Sequence, residues 1–167
     1  MNQITIITPQ PPAAVSAIGL EVPDFTVPAT GGDFTLSAHR GHPVVLYFYP
    51  RDNTPGCTTQ AQQFRDLHAE FVKAAGCVVM GISRDSLKSH EGFKRKFGLP
   101  FELISDIEGT LCRMFDVVKN KMMYGKKVLG IERSTFLIDA NGVLRQEWRA
   151  TKADGNAAAV LDAIMKR

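Results

Sequence analysis

Six consecutive apolar or aromatic residues, VVLYFY at 44–49, lead into a polar, turn-rich stretch, after which apolar positions recur every three or four residues. The first run has the length and the β-branched and aromatic content of a strand covered on both faces. The recurrence (Phe64, Leu67, His68, Phe71) is the i, i+3, i+4, i+7 stripe of an amphipathic helix. The same alternation then repeats. Residues 77–82 predict a second buried strand, and residues 86–97 a helix with Leu87, His90, Phe93 and Phe97 on one side, stopped by Gly98 and Pro100. Residues 101–104 predict a third strand. Asp106 can cap a short helix carrying Leu111, Met114, Phe115 and Val118. Further on, residues 134–138 and 143–148 read as strands joined by the turn Asp139-Ala140-Asn141-Gly142, and a closing helix runs through Ala157, Val160, Leu161 and Ile164.

Upstream, residues 25–27 and 34–36 are short apolar runs joined by Ala29-Thr30-Gly31-Gly32-Asp33, a hairpin signal. Gly31-Gly32 is a turn and not a phosphate loop, because neither a helix start nor a P-loop lysine follows. Residues 1–17 are rich in Pro, Ala and Thr without a period, which predicts an N-terminal arm ahead of one domain, 18–167. The order is hairpin, βαβαβα, then ββα: an α/β fold with a central mixed β-sheet flanked by helices and an N-terminal β-hairpin. The segment KNKMMYGKK, 119–127, surrounds Met122, Met123 and Tyr124 with lysines. It reads as a solvated loop bordering the strand at 134–138, with no nucleic-acid role.

Composition narrows the function classes. The 167 residues are 44% apolar and 22% charged with a formal net charge of +3, which speaks for solubility and says little about partners. No stretch has the apolar length to cross a bilayer, so no membrane association is expected. The N-terminus lacks the basic region and apolar core of a secretory signal, so the expected location is cytoplasmic. Three cysteines (Cys57, Cys77 and Cys112) show no CxxC and no Cys/His zinc spacing, and should be resting thiols in a reducing compartment. The four histidines share no metal-ligand spacing. His90, on an apolar helix face, reads as a hydrogen-bonded core residue.

One thiol stands apart. In YFYPRDNTPGCTTQ, Thr54 falls at the N-cap of the first long helix, Pro55 at its first position and Cys57 at its third. Unpaired N–H groups and the positive end of the helix dipole favour thiolate there, and thiolate is the nucleophile. The site also follows the carboxyl end of a buried strand, where open α/β sheets place ligands. The plain alternative is a small residue filling a gap in the first turn. Asp52 and Asn53 read as shaping the loop through local side-chain to backbone bonds, and Tyr49 as lining either the pocket or the strand alone.

The octapeptide Pro50-Arg51-Asp52-Asn53-Thr54-Pro55-Gly56-Cys57 fits the PxxxTxxC motif of peroxiredoxins, and the longer stretch resembles the bacterioferritin comigratory protein (PrxQ) subfamily. GIERSTFLIDANG, 130–142, is similar to the family segment bearing its active-site arginine. The resemblance spans the chain from about Ile18 onward. It implies a thioredoxin-like fold and a cofactor-free peroxidase of the thioredoxin-dependent type, acting on hydrogen peroxide and alkyl hydroperoxides. By position, Cys57 would be the peroxidatic cysteine that becomes sulfenic acid. Thr54 would hydrogen-bond the thiolate and the peroxide, Pro50 would shield the sulfur from water, and Arg133 would stabilise charge on the breaking O–O bond. Without the resemblance, Arg133 reads as an ordinary solvated residue at a strand start.

The chain departs from the subfamily at the second thiol. Relatives carry a resolving cysteine five positions after the first, here Gln62, or in the following helix near Phe93. Cys77 reads as inert core. Cys112 falls on the flank of its helix stripe, where it could be partly exposed and is a possible resolving residue. The expectation is a one-cysteine mechanism reduced by external thioredoxin, glutaredoxin or glutathione, in a monomer or weak homodimer. Rival readings are a peroxide sensor that relays oxidation by mixed disulfide, an atypical two-cysteine peroxidase using Cys112, and a non-catalytic thioredoxin-like domain.

Overall fold

The structure is a computed structural model that describes residues 17–167, so all of the predicted arm except Ala17 lies outside the described residues. Its centre is a five-stranded sheet of order β5-β4-β3-β8-β9. β3 (Val44–Phe48), β4 (Val78–Ser83) and β5 (Glu102–Ser105) run parallel. β8 (Ser134–Ile138) lies antiparallel to β3, and β9 (Leu144–Trp148) antiparallel to β8. This is the mixed sheet expected. Every residue of β3 is buried, as its unbroken apolar run requires of a central strand.

Strand alternation divides the interior in two. Val44, Leu46 and Phe48 point to the face shared with Phe34, Leu111, Phe115 and Ile131. Val45, Tyr47 and Tyr49 point to the opposite face, against Cys57, Phe64 and Phe71 of α1 (Pro55–Ala75), Phe93 of α2 (Leu87–Phe97), and Ala157, Val160 and Ile164 of α4 (Asn156–Met165). The long α1 ends at Gly76, whose φ of 62° lets its N–H bond back to the Phe71 and Val72 carbonyls. None of the described helices is long and apolar enough to cross a membrane.

The register decides what meets at the active edge. Phe48 pairs with Ile82 in parallel and with Ser134 in antiparallel fashion. The loop leaving β3 and the residue entering β8, Arg133, therefore share one end of the sheet. β9 returns to that end as well, with Trp148 opposite Thr135, and delivers the start of α4 there. Cys77 sits at the far end, just before Val78, which pairs with Val44.

Several expectations are corrected. The lysine-rich segment is no loop: β6 (Val118–Met123) and β7 (Lys126–Ile131) form a separate antiparallel hairpin turning at Tyr124 and Gly125, both at positive φ. Met122, Tyr124 and Leu129 are exposed on it, so no apolar face marks its alternation in the sequence. Val118 opens this hairpin instead of extending the short helix, because α3 (Thr110–Met114) stops four residues earlier. Asp106 does cap α3, but from outside the N-cap position, accepting from the Leu111 and Cys112 amides at 3.1 and 2.8 Å. The N-terminal hairpin is two short strands, β1 (Thr26–Val27) and β2 (Phe34–Thr35), followed by a 3-10 turn.

Candidate active site

Cys57 lies in the first turn of α1, after Thr54 at the N-cap and Pro55 at the first helical position, as expected. Its residue is only 1% exposed. Arg133 reaches it from the short connection before β8: Nη2 donates to Cys57 Sγ at 3.5 Å, while Nη1 donates to Gln60 Oε1 at 2.6 Å. Gly56 makes the approach possible, since a Cβ there would stand 3.2 Å from Arg133 Nη2. The geometry joins a thiol, a fixed cation and the amide end of a helix, a set able to stabilise negative charge leaving sulfur for an attacked oxygen.

Thr54 is tied to the loop ahead of it. Its Oγ1 donates to the Arg51 carbonyl at 2.8 Å and makes no capping bond, so its proton is already engaged and the oxygen is left as an acceptor. Pro50 lies two residues past the end of β3 and is half-buried. The loop is held chiefly by Asp52, and not through the local backbone bonds expected of it. Asp52 Oδ1 accepts from Tyr49 OH at 2.6 Å, and Oδ2 accepts from Ser89 Oγ at 2.8 Å and faces His90 Nδ1 at 2.8 Å. His90 Nε2 lies 2.9 Å from the Ile104 carbonyl, the hydrogen-bonded core histidine predicted. Tyr49 is thereby fixed within the core. Asp85 completes the clamp, accepting from the Asp52 amide at 2.9 Å and from Ser83 Oγ at 2.5 Å. Asp52, Asp85 and His90 bring ligand-type atoms within 4.8 Å of one another. Those atoms are already engaged by protein groups, so the cluster works as a joint between the loop and α2.

The other thiols lie apart from this chemistry. Burial pushes the Cys77 thiol up to about 12. Cys112 is fully buried, not partly exposed as its flank position suggested, and burial together with the nearby Asp106 carboxylate drives its thiol far up. The short α3 buries Cys112 along with Leu111 and Met114 and leaves Arg113 exposed, which a stripe argument over so few residues cannot capture. Phe93, near where the family resemblance implied a second thiol on α2, is buried against Tyr49 and Phe97.

Gln60, Asn156 and Thr135 escaped the sequence reading. All three are buried and hydrogen-bonded beside Arg133, and the one signal available was a set of polar residues on otherwise core-facing positions. Tyr47 also escaped it. Its ring stacks on Phe64 at 4.5 Å, yet its hydroxyl is buried with no hydrogen-bond partner among the described residues. Burial, and then the charge of Cys57, raise its phenol well above the usual tyrosine value. Gly81 opposite makes the room, since a Cβ there would lie 2.8 Å from Tyr47 Cζ and from Leu103 Cδ2. Tyr47→Phe should therefore raise stability by about 1 kcal/mol by removing an unsatisfied group. A higher urea midpoint at unchanged slope is the expected result, and a lowered midpoint would show that the hydroxyl is satisfied in solution.

Residues 18–147 match the AhpC/TSA family model. The chain is 53% identical to Peroxiredoxin Bcp of Xanthomonas campestris over 150 residues, 87% of this chain and 93% of that protein. It is 46% identical to Peroxiredoxin Bcp of Bacillus subtilis over 148 residues, 88% and 94% of the two. Among solved structures, X. campestris Peroxiredoxin Q superposes with a TM-score of 0.84 at 50% identity, covering 92% of this chain and 98% of the other. BcpB of Mycobacterium tuberculosis gives 0.78 at 32% identity, covering 91% and 97%. The fold is thus the thioredoxin-like one the motif implied, and the chain belongs to the AhpC/TSA family as a peroxiredoxin of the bacterioferritin comigratory protein, or PrxQ, type.

Proposed function

We propose that this chain reduces hydrogen peroxide and alkyl hydroperoxides by a one-cysteine mechanism centred on Cys57. The Arg133 Nη2 to Cys57 Sγ hydrogen bond of 3.5 Å at the start of α1 carries this reading. The Cys57 thiolate attacks one peroxide oxygen, an S–O bond forms as the O–O bond breaks, and the leaving hydroxide or alkoxide takes up the equivalent of the proton released when the thiol ionised, so that thiol and hydroperoxide become sulfenic acid and water or alcohol. Arg133 and the first-turn N–H groups stabilise the charge as it moves from sulfur to oxygen, more in the transition state than before it. Alkyl peroxide reduction has been studied in the X. campestris bacterioferritin comigratory protein, which supports the same substrate class here.

The sulfenic acid then requires a second thiol. Cys77 and Cys112 are buried and their thiols are held protonated, and Phe93 and Gln62 offer none, so an external thiol such as thioredoxin, glutaredoxin or glutathione supplies it. That thiol displaces water to give a mixed disulfide, and a second thiol releases Cys57 reduced. The working unit is a monomer or weak homodimer.

Peroxide consumption with dithiothreitol, and again with thioredoxin, tests this. Cys57→Ser should abolish turnover with both, while Cys112→Ser should retain both. Loss of only the thioredoxin-supported rate in Cys112→Ser would make Cys112 the resolving residue, and undiminished turnover in Cys57→Ser would sink the proposal. Excess peroxide should also inactivate the protein while adding two oxygens to the Cys57 peptide, since a slowly resolved sulfenic acid meets a second peroxide.

A further inference from the structure

An arginine that touches sulfur through one of its nitrogens can still turn away, so something must hold its other side. Gln60 does so, accepting from Arg133 Nη1 at 2.6 Å. A guanidinium has only donors, so the Gln60 oxygen must face it and the Gln60 amide nitrogen must point the other way. There it donates to Asn156 Oδ1 at 2.9 Å. Thr135 Oγ1 donates to the same oxygen at 2.8 Å, from the second residue of β8. The polarity of each group is thus fixed outward from Arg133, with no member free to flip.

The chain of bonds then closes on itself. Asn156 Nδ2 lies 3.4 Å from Thr151 Oγ1, and the Thr151 amide donates to the Arg133 carbonyl at 2.9 Å. Arg133 is therefore gripped twice: by its guanidinium through Gln60 and by its backbone through Thr151. Both grips meet at Asn156, the first residue of α4. Gln60 is fully buried and Asn156 nearly so, at 0% and 3% exposed, so water does not readily replace a lost partner. The neighbouring Gln63 adds a second tie, donating to Asp154 Oδ1 at 2.6 Å and accepting from the Gly155 amide at 2.9 Å.

We infer that Asn156 is a positioning residue for the peroxidase reaction: it orients the Gln60 amide, which in turn aims Arg133 at Cys57 Sγ. The inference rests on the proposed role of Cys57 and Arg133. It makes the start of the C-terminal helix, 99 residues beyond Cys57 in the chain, part of the machinery that sets the reactivity of the thiol.

The test is Asn156→Leu, nearly equal in size and without polar atoms, with Asn156→Ala as the alternative if the leucine variant does not fold. Two readouts are taken on folded protein: kcat/KM for hydrogen peroxide, and the pH profile of Cys57 alkylation by iodoacetamide. The expected result is a fall in kcat/KM on the order of tenfold, the scale of loss when a catalytic group is slightly misplaced, with the alkylation profile displaced to higher pH. Both effects should shrink sharply when Asn156→Leu is introduced into a Gln60→Met background, because the two residues act in series. An unchanged alkylation profile in Asn156→Leu, or an equal effect in the Gln60→Met background, would overturn the inference. Alkylation needs no peroxide, so a displaced profile in a protein whose wild type consumes no peroxide would uphold the role of Asn156 in setting Cys57 while refuting the peroxidase reading.

Discussion

Arg133→Met is expected to lower kcat/KM for hydrogen peroxide by about two to three orders of magnitude, the scale on which single oxyanion donors are worth about 3–4 kcal/mol in a preorganised site. The side chain donates to Cys57 Sγ and Gln60 Oε1 at once, and both bonds vanish with the guanidinium. Arg133→Lys should recover only part of the loss. An ammonium is a point charge on a flexible stem and does not present two coplanar donors to two acceptors set apart by Gly56 and the first turn of α1. Stability should fall by about 1–3 kcal/mol, because the buried Gln60 Oε1 loses its donor, while the backbone tie to Thr151 remains. Single-turnover kinetics decide the matter. Retention of more than about a tenth of wild-type kcat/KM in Arg133→Met would move charge stabilisation onto the helix N–H groups alone.

Asp52→Ala should cost about 3–5 kcal/mol of stability, because several buried hydrogen-bonding groups lose their partner at once, at about 1–3 kcal/mol each. The carboxylate is shared by Tyr49 OH, Ser89 Oγ and His90 Nδ1, and the Asp52 and His90 side chains are 1% and 0% exposed. Alanine would strand Tyr49 OH and His90 Nδ1 where water does not replace the oxygens, while the half-exposed Ser89 hydroxyl turns to solvent. The loss should appear as a lower denaturant midpoint at constant slope, because the compactness of the native state is unchanged. Activity should fall too, as this residue anchors the loop between β3 and Cys57. A change below about 1 kcal/mol would mean that the loop is held by its proline and turn geometry instead.

The site was legible in the sequence wherever its cause was local. A proline at the first helical position, a threonine ahead of it and a cysteine two places on predict the same helix start that the structure shows, because caps and first-turn geometry depend on neighbouring residues. The unbroken run before it predicts a central strand for the same reason. Arg133 is a different case: its neighbours give no hint of it, and only the family resemblance pointed there.

Asp52 and Cys112 show where local reasoning fails. Asp52 in a turn suggests bonds to its own backbone, yet its partners lie on α2 and at the end of β3. Cys112 sits on the flank of a helix too short for a stripe to define, and the sheet face above it closes it from water. The β6–β7 hairpin was missed because only its base, Val118 and Ile131, packs on the core, while Met122, Tyr124 and Leu129 are exposed, so its alternation carries little signal.

By itself, then, the sequence determined the order of the core strands and helices, the two-faced central sheet and the placing of Cys57 at a helix N-terminus. Hydrophobic period, caps and turn residues act over a few positions, and they carry that information in the chain itself. The tertiary structure alone decided which buried polar groups meet. β8 runs antiparallel to β3 and β9 returns to the same edge, so Gln60 of α1, Arg133 and Thr135 at the start of β8, and Asn156 of α4 converge from three separate segments. Hydrogen bonds in a dry interior are fixed by which faces the sheet order brings together, and no window of sequence holds both ends of such a bond.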